Sequence, residues 1–247
     1  MHRASAPAGA KIGASRFLPP LSLVRTVLAL TAAGLLAGCG ASTTALTDAV
    51  RLMVEAPDAD TAQLNVDLRY LRVSVNKNVA LMVLGYVDTT PEPGTQVWYS
   101  AEKETLRLWN GRLAGTAGLG ADWRSVRFGE VPSWRAALAG NARYQRRRDV
   151  MPGYQVDTRD EVSIVPVAPP RASALVGIPA ERLQWFEERT ATQGRLPGLP
   201  AALFAVDLSG QGERVVYSEQ CLSNSLCLTL QVWPAAVPAL SPTPASL

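Results

Sequence analysis

The three cysteines of the chain stand in two chemical settings. Cys39 ends the tetrapeptide Leu36-Ala37-Gly38-Cys39, which fits a bacterial lipobox. In such a motif the thiol is diacylated, the chain is cut before it, and the new amino group is acylated. Cys221 and Cys227 occur in "CLSNSLC". If the flanking segments pair as strands around Asn224, the two thiols face each other. An oxidising compartment then favours a disulfide, and the spacing is wrong for a CxxC redox site. The only histidine is His2, inside the segment a lipobox would remove. Without it, Ser-His-Asp and Cys-His catalysis and histidine metal sites are excluded. No cofactor or metal motif is found.

Residues ahead of Cys39 support this reading. Residues 1–25 hold His2, Arg3, Lys11, Arg16 and Arg25 and no acid. Residues 26–38, "TVLALTAAGLLAG", are small and apolar but shorter than the roughly 20 residues a spanning helix needs. A basic start, a short apolar core and a small-residue exit make a signal peptide over 1–38. Acyl chains contribute about 0.8 kcal/mol per buried CH₂, so several make a stable anchor. Gly40, rather than Asp, follows the cysteine, which in the usual proteobacterial sorting rule directs the chain to the outer membrane. The full chain of 247 residues carries a formal charge of +3. All of that excess lies in the removed segment, so the mature chain has no basic footprint for nucleic acid.

Other motifs offer less chemistry. "WNGRLAGTAGLG" (109–120) holds four glycines, yet no Gly-Lys-Ser/Thr follows and Trp123 occupies the place of a third fingerprint glycine. Ser74-Val75-Asn76-Lys77 matches S-x-x-K, but at a strand end and without its companion elements. A glycosidase needs two facing carboxylates. Asp157, Asp160, Glu161, Glu187, Glu188 and Asp207 are candidates, none singled out locally, and the adjacent pairs read as solvated surface or turn residues. Arg146-Arg147-Arg148, behind Tyr144, reads either as the solvated end of a helix or as a hold for acidic sugars or lipid phosphates.

The elements that must position these residues are mainly strands. Residues 39–58 form a tether and a short amphipathic helix, with Leu46, Ala49, Val50, Met53 and Val54 at helical spacing. A β domain spans 59–233. Period-two alternation starts at Leu64 and changes parity at Tyr70-Leu71, which predicts a bulge or bend. "NKN" (76–78) is a turn, and Val79–Val87 a buried strand containing Gly85. Asn110-Gly111 between two extended segments is a strong hairpin signal. Residues 131–148 read as partly helical, and 180–190 as a short helix. Strands resume from Ala202 to Trp233, with Leu226, Leu228, Leu230 and Val232 on one face. A Pro-rich tail fills 234–247. The fold class expected is mainly β: an antiparallel β barrel or sandwich with a few short peripheral helices.

Two blocks resemble the YjbF/GfcB-type lipoproteins of group 4 capsule and exopolysaccharide operons. The first, "WYSAEKETLRLWNGRLAGTAGL", carries Trp98 and Ser100, then Asn110-Gly111-Arg112, then Thr116-Ala117-Gly118-Leu119. The second, "FAVDLSGQGERVVYSEQ", ends on Ser218-Glu219-Gln220 and departs from the family at Ala205, where members often carry Trp. The resemblance implies a barrel-like domain, lipid-anchored on the periplasmic face of the outer membrane, assisting polysaccharide export. An outer-membrane β-barrel protein of the same system is the implied partner, with polysaccharide as a further one. The family brings no catalytic residues. Two other readings stay open: a carboxylate-based enzyme acting on glycan or cell wall, and a general envelope scaffold. Arg112 is open as well, either a contact displayed at a hairpin tip or the partner of an acid that fixes the turn.

Overall fold

The computed structural model describes residues 62–89, 92–194 and 196–235. Cys39, the amphipathic helix expected within 39–58 and nearly all of the Pro-rich tail lie outside the described residues. Twelve strands form one antiparallel sheet: β1 Tyr70–Val75, β2 Asn78–Asp88, β3 Thr95–Tyr99, β4 Thr105–Trp109, β5 Arg112–Ala117 and β6 Asp122–Phe128, then β7 Ala142–Met151, β8 Gln155–Val167, β9 Gln184–Thr192, β10 Ala202–Asp207, β11 Arg214–Ser223 and β12 Leu226–Trp233. Consecutive strands pair along the chain up to β5 and again from β6, and β1 pairs with β12. Only β5 and β6 lack a ladder between them, so the sheet is a nearly closed barrel. Its seam lies in mid-sequence.

Side chains close that seam. Trp123 N donates to Thr116 Oγ1 at 3.0 Å, and Trp123 Nε1 reaches across the barrel to Leu222 O at 3.1 Å. The strands flanking the gap thus lean onto β11 and fill the interior. One apolar cluster joins β1–β6 to β11 and β12 through Leu71, Trp98, Leu113, Trp123 and Leu228. A second joins β7–β10 through Tyr144, Ile164, Phe186 and Phe204 to Trp134 on the short helix α1, Trp134–Ala137. A third lies on the other face of the sheet, where Trp185, Ala205 and Tyr217 are covered by Leu175, Ile178 and Leu183. That covering segment is tied down by Gln231, which accepts from Val176 N at 3.0 Å and donates to Val176 O at 2.7 Å.

The expected fold class is observed, and five local expectations change. Residues 64–69 form a turn rather than the start of β1, because Asn65 Oδ1 accepts from Asp67 N at 3.0 Å. The parity change at Tyr70-Leu71 marks the beginning of the strand. The bulge belongs instead to β2, between Leu84 and Tyr86, and the far end of that strand exposes Tyr86 and Val87. Helix within 131–148 shrinks to Trp134–Ala137, capped by Ser133 Oγ and followed by Gly140 at φ +85°. Everything from Ala142 is strand. The helix expected over 180–190 is one 3-10 turn, Ala180–Arg182, followed by β9.

Candidate functional site

Asn110 and Gly111 form the β4–β5 turn with φ of +48° and +79°, the two positive values a type I′ hairpin requires. A Cβ on Gly111 would stand 2.4 Å from that of Val215, so glycine is demanded by space as well. The turn therefore lies directly against β11. Gln220 secures it there, accepting from Leu113 N at 3.0 Å and donating to Gly111 O at 2.8 Å and to Ser218 Oγ at 2.9 Å. The Ser-x-Gln of one sequence block thus binds the Asn-Gly-Arg of the other.

Arg112 turns inward from this hairpin and is 2% exposed. Its Nε donates to Glu188 Oε1 at 2.7 Å, and the second Glu188 oxygen accepts from Tyr144 at 2.9 Å. The partner acid is distant in sequence and buried, so Arg112 is no exposed tip contact. Its guanidinium carbon lies 3.9 Å from the Trp134 ring centroid, and cation–π contacts of this desolvated kind contribute about 2 kcal/mol. Burial, reinforced by the neighbouring Glu188 carboxylate, raises the Tyr144 pKa well above the phenolic range and keeps it protonated.

The remaining signature residues hold turns. Ser100 Oγ accepts from Glu102 N and Glu104 N and donates to the Glu104 carboxylate, closing the β3–β4 connection. Asp122 does the same for β5–β6, accepting from Thr116 Oγ1, Gly118 N and Leu119 N at 2.9–3.1 Å. Asp122 carried no sequence signal of this role. Gly118 sits at φ +89°, where a Cβ would come 3.3 Å from the Glu104 backbone. Cys221 and Cys227 stand opposite each other and form a disulfide around the Asn224-Ser225 turn. Ala205 lies between Trp185 on β9 and Tyr217 on β11, whose rings meet edge to face at 5.7 Å. Those two rings occupy the ground a larger residue would take at 205.

The arginine triplet is not a helix end, and Asp160 is not solvated. On strand β7 the three side chains alternate. Arg147 faces out and pairs with Asp157, whereas Arg146 and Arg148 face in and share Asp160. Arg148 holds both Asp160 oxygens, and Thr192 donates to one at 2.8 Å. Both guanidinium groups lie within 5 Å of the Trp123 ring centroid. Burial pushes the Asp160 pKa up, but the Arg148 hydrogen bond and the charges of Arg146 and Arg148 outweigh it and hold the carboxyl below its usual value. Glu188 is likewise buried and doubly bonded, unlike the solvated residue its neighbour Glu187 suggested.

One cavity of about 640 Å³ opens at the barrel end where the Asn110-Gly111 turn, α1 and the start of β11 meet. Its lining includes Trp98, Arg112 and Trp134, each at most 3% exposed. Trp98 Nε1, Arg112 Nη2 and Trp134 Nε1 have no hydrogen-bond partner within the protein. A buried donor left in this state costs about 1–3 kcal/mol. Glu213 is the cavity's acidic lining residue, and it is engaged by the backbone N–H groups of Trp134 and Arg135 at 2.8 and 2.9 Å. Trp98 and Arg112 stand out in the sequence, whereas Trp134 lies unmarked within the stretch 131–148 that reads as partly helical. Among the described residues no three His, Cys, Asp or Glu side chains gather to hold a metal ion.

Residues 46–226 match the family model described as group 4 capsule polysaccharide lipoprotein, YjbF. The fold is similar to the crystal structure of the hypothetical lipoprotein YmcC from Escherichia coli (K12), with a TM-score of 0.54 at 17% identity, covering 70% of this chain and 90% of that one. Comparison with curated proteins gave no match.

Proposed function

The chain belongs to the group 4 capsule polysaccharide lipoprotein family, and from that premise we propose that it is a non-catalytic lipoprotein assisting the export or assembly of a capsule or exopolysaccharide. The family match carries this reading, because it runs through nearly the whole barrel. The lipobox at Cys39 supports anchoring by lipid, and Gly40 supports sorting to the outer membrane. The site chemistry favours binding over turnover. Asp160 and Glu188 are consumed by arginines and hydroxyls, and Glu213, the one acid among the described residues that line the cavity, holds the start of α1. A two-carboxylate hydrolysis needs a free pair across a cleft. The partner proposed is an outer-membrane β-barrel protein of the same export system, which a pull-down from detergent-solubilised membranes should recover.

Deletion of the gene tests the reading. Extracellular polysaccharide should fall while growth stays normal, and the wild-type gene, but not Cys39→Ser, should restore it. Unchanged polysaccharide in the deletion strain overturns the proposal.

A further inference from the structure

We propose that the outer face of strands β1–β3 is the seat of the chain's own apolar stripe at 44–55, which packs there as an amphipathic helix and fastens the tether to the barrel wall. The docking is independent of the polysaccharide reading. Only its consequence for the anchor rests on acylation of Cys39.

Leu71, Val73 and Met82 point into the barrel core, so by alternation Val79, Leu81 and Val83 of β2 point outward. These three are half-buried yet belong to none of the three apolar clusters. Tyr99 stands opposite Val83 and carries the face onto β3. Its ring lies over Gly85, where a Cβ would come within 2.6 Å of it. The Tyr86 ring is 6.5 Å away, and Tyr86, Val87 and Tyr99 are between 41% and 51% exposed. These apolar side chains share one outer wall.

Pattern, position and reach all fit the stripe to that wall. Leu46, Ala49, Val50, Met53 and Val54 repeat at helical spacing, and Asp48, Arg51 and Glu55 fall on the opposite side of such a helix. One arginine against two acids is the wrong balance for a helix lying on an anionic membrane, which carries Lys and Arg on its polar face. The family match begins at residue 46, so the stripe belongs with the barrel rather than with the leader before it. The chain also reaches the barrel on this side. Asn65 N donates at 3.1 Å to the hydroxyl of Tyr70, which stands opposite Val83, and Leu84 N donates to Arg69 O at 2.9 Å. Residues 55–64 link the stripe to that point and extend to about 33 Å at most. The wall from Val79 to Tyr86 is only about 23 Å long, so all of it is within reach. Once the stripe is seated, residues 40–43 alone separate it from the acylated cysteine. That is about 14 Å of chain at full extension, which holds the barrel close against the membrane.

Photo-cross-linking of the full lipidated protein in detergent tests the docking. The photoreactive residue p-benzoylphenylalanine takes the place of Val50 or Met53 on the stripe, or of Asp48 on the opposite side, and mass spectrometry locates the products. Positions 50 and 53 should link within the same chain to 79–87 or 95–99, at least about tenfold more than position 48 does. Separately, Leu46→Asp with Met53→Asp should raise nitration of Tyr86 and Tyr99 severalfold while far-ultraviolet circular dichroism keeps the strand signal. The cross-links decide by themselves should that variant fail to fold.

Links from 50 and 53 to other strands, or to the segment 168–183, overturn the location. Links between two chains replace it with a dimer contact, and links to detergent or lipid replace it with a membrane-surface helix. Either result overturns the proposal. So does equal linking from position 48, an absence of products from 50 and 53, or unchanged nitration in the folded aspartate variant. These outcomes are separable from the export reading, because a deletion strain with normal polysaccharide sinks that reading whatever the cross-links give.

Discussion

Gln220 Nε2 donates to Gly111 O at 2.8 Å across 109 positions of sequence. Strands β5 and β11 are separated by five others in either direction around the sheet, so this bond crosses the barrel interior. The same amide accepts from Leu113 N. Gln220→Ala strands a buried N–H and a buried carbonyl together. Chemical denaturation should show a loss of about 2–4 kcal/mol, and a loss under about 0.5 kcal/mol would mean that the amide is dispensable.

Gly111 supplies a test of close approach. Gly111→Ala places a methyl in a left-handed conformation and drives it into Val215. The conformation alone costs about 1–2 kcal/mol. Adding Val215→Gly, which removes the Cβ 2.4 Å away as well as both methyls, should recover the steric part and leave the conformational part. Strictly additive stability changes in this double-mutant cycle would contradict the contact.

The fold class was legible because most interior positions are apolar. Leu106 and Leu108, and Leu226, Leu228 and Leu230, show period two directly, and Asn110-Gly111 names its own turn. Strand β7 was not legible for the opposite reason. Its inward residues include Arg146 and Arg148 and its outward ones Arg143 and Arg147, so both faces are charged and the period vanishes. The site was half legible. Trp98, Arg112 and Gln220 stood out through the family blocks, but their roles depend on Trp134, Glu188 and Gly111. Nothing local marks Glu188 as the partner of an arginine 76 residues away. Only barrel closure brings them together.

The Asp160 network sets a pH dependence. Its folded pKa is lowered from 3.8, so its stabilisation is fully present above that value and lost as pH falls through the lowered pKa. Asp160→Asn should destabilise the protein at neutral pH by about 3–5 kcal/mol, because two buried guanidinium groups lose their counter-charge. It should also flatten stability against pH below 3.8 relative to wild type. Denaturation curves between neutral pH and this acid range check both effects, and an unchanged acid slope would exclude Asp160 as its source.

The disulfide lies at the other end of β11 from the cavity, since the strand runs from Arg214 at the cavity lining to Ser223 at the Cys221–Cys227 hairpin. Cys221 and Cys227 are six positions apart, and closing so short a loop constrains the unfolded chain by about 2 kcal/mol. Cys221→Ser with Cys227→Ser should therefore lower stability by about that amount. The register of β11 and β12 should survive, because Leu222, Leu226 and Leu228 still pack into the core. Gln220 sits one residue before Cys221 and is held by Gly111, Leu113 and Ser218 rather than by the disulfide. The Asn110-Gly111 turn should thus keep the amide-exchange protection of the intact protein at Leu113 N. A parallel fall in that protection and in stability would show that the hairpin transmits order along β11 to the Asn110-Gly111 turn, and that the cavity end depends on both ends of the strand.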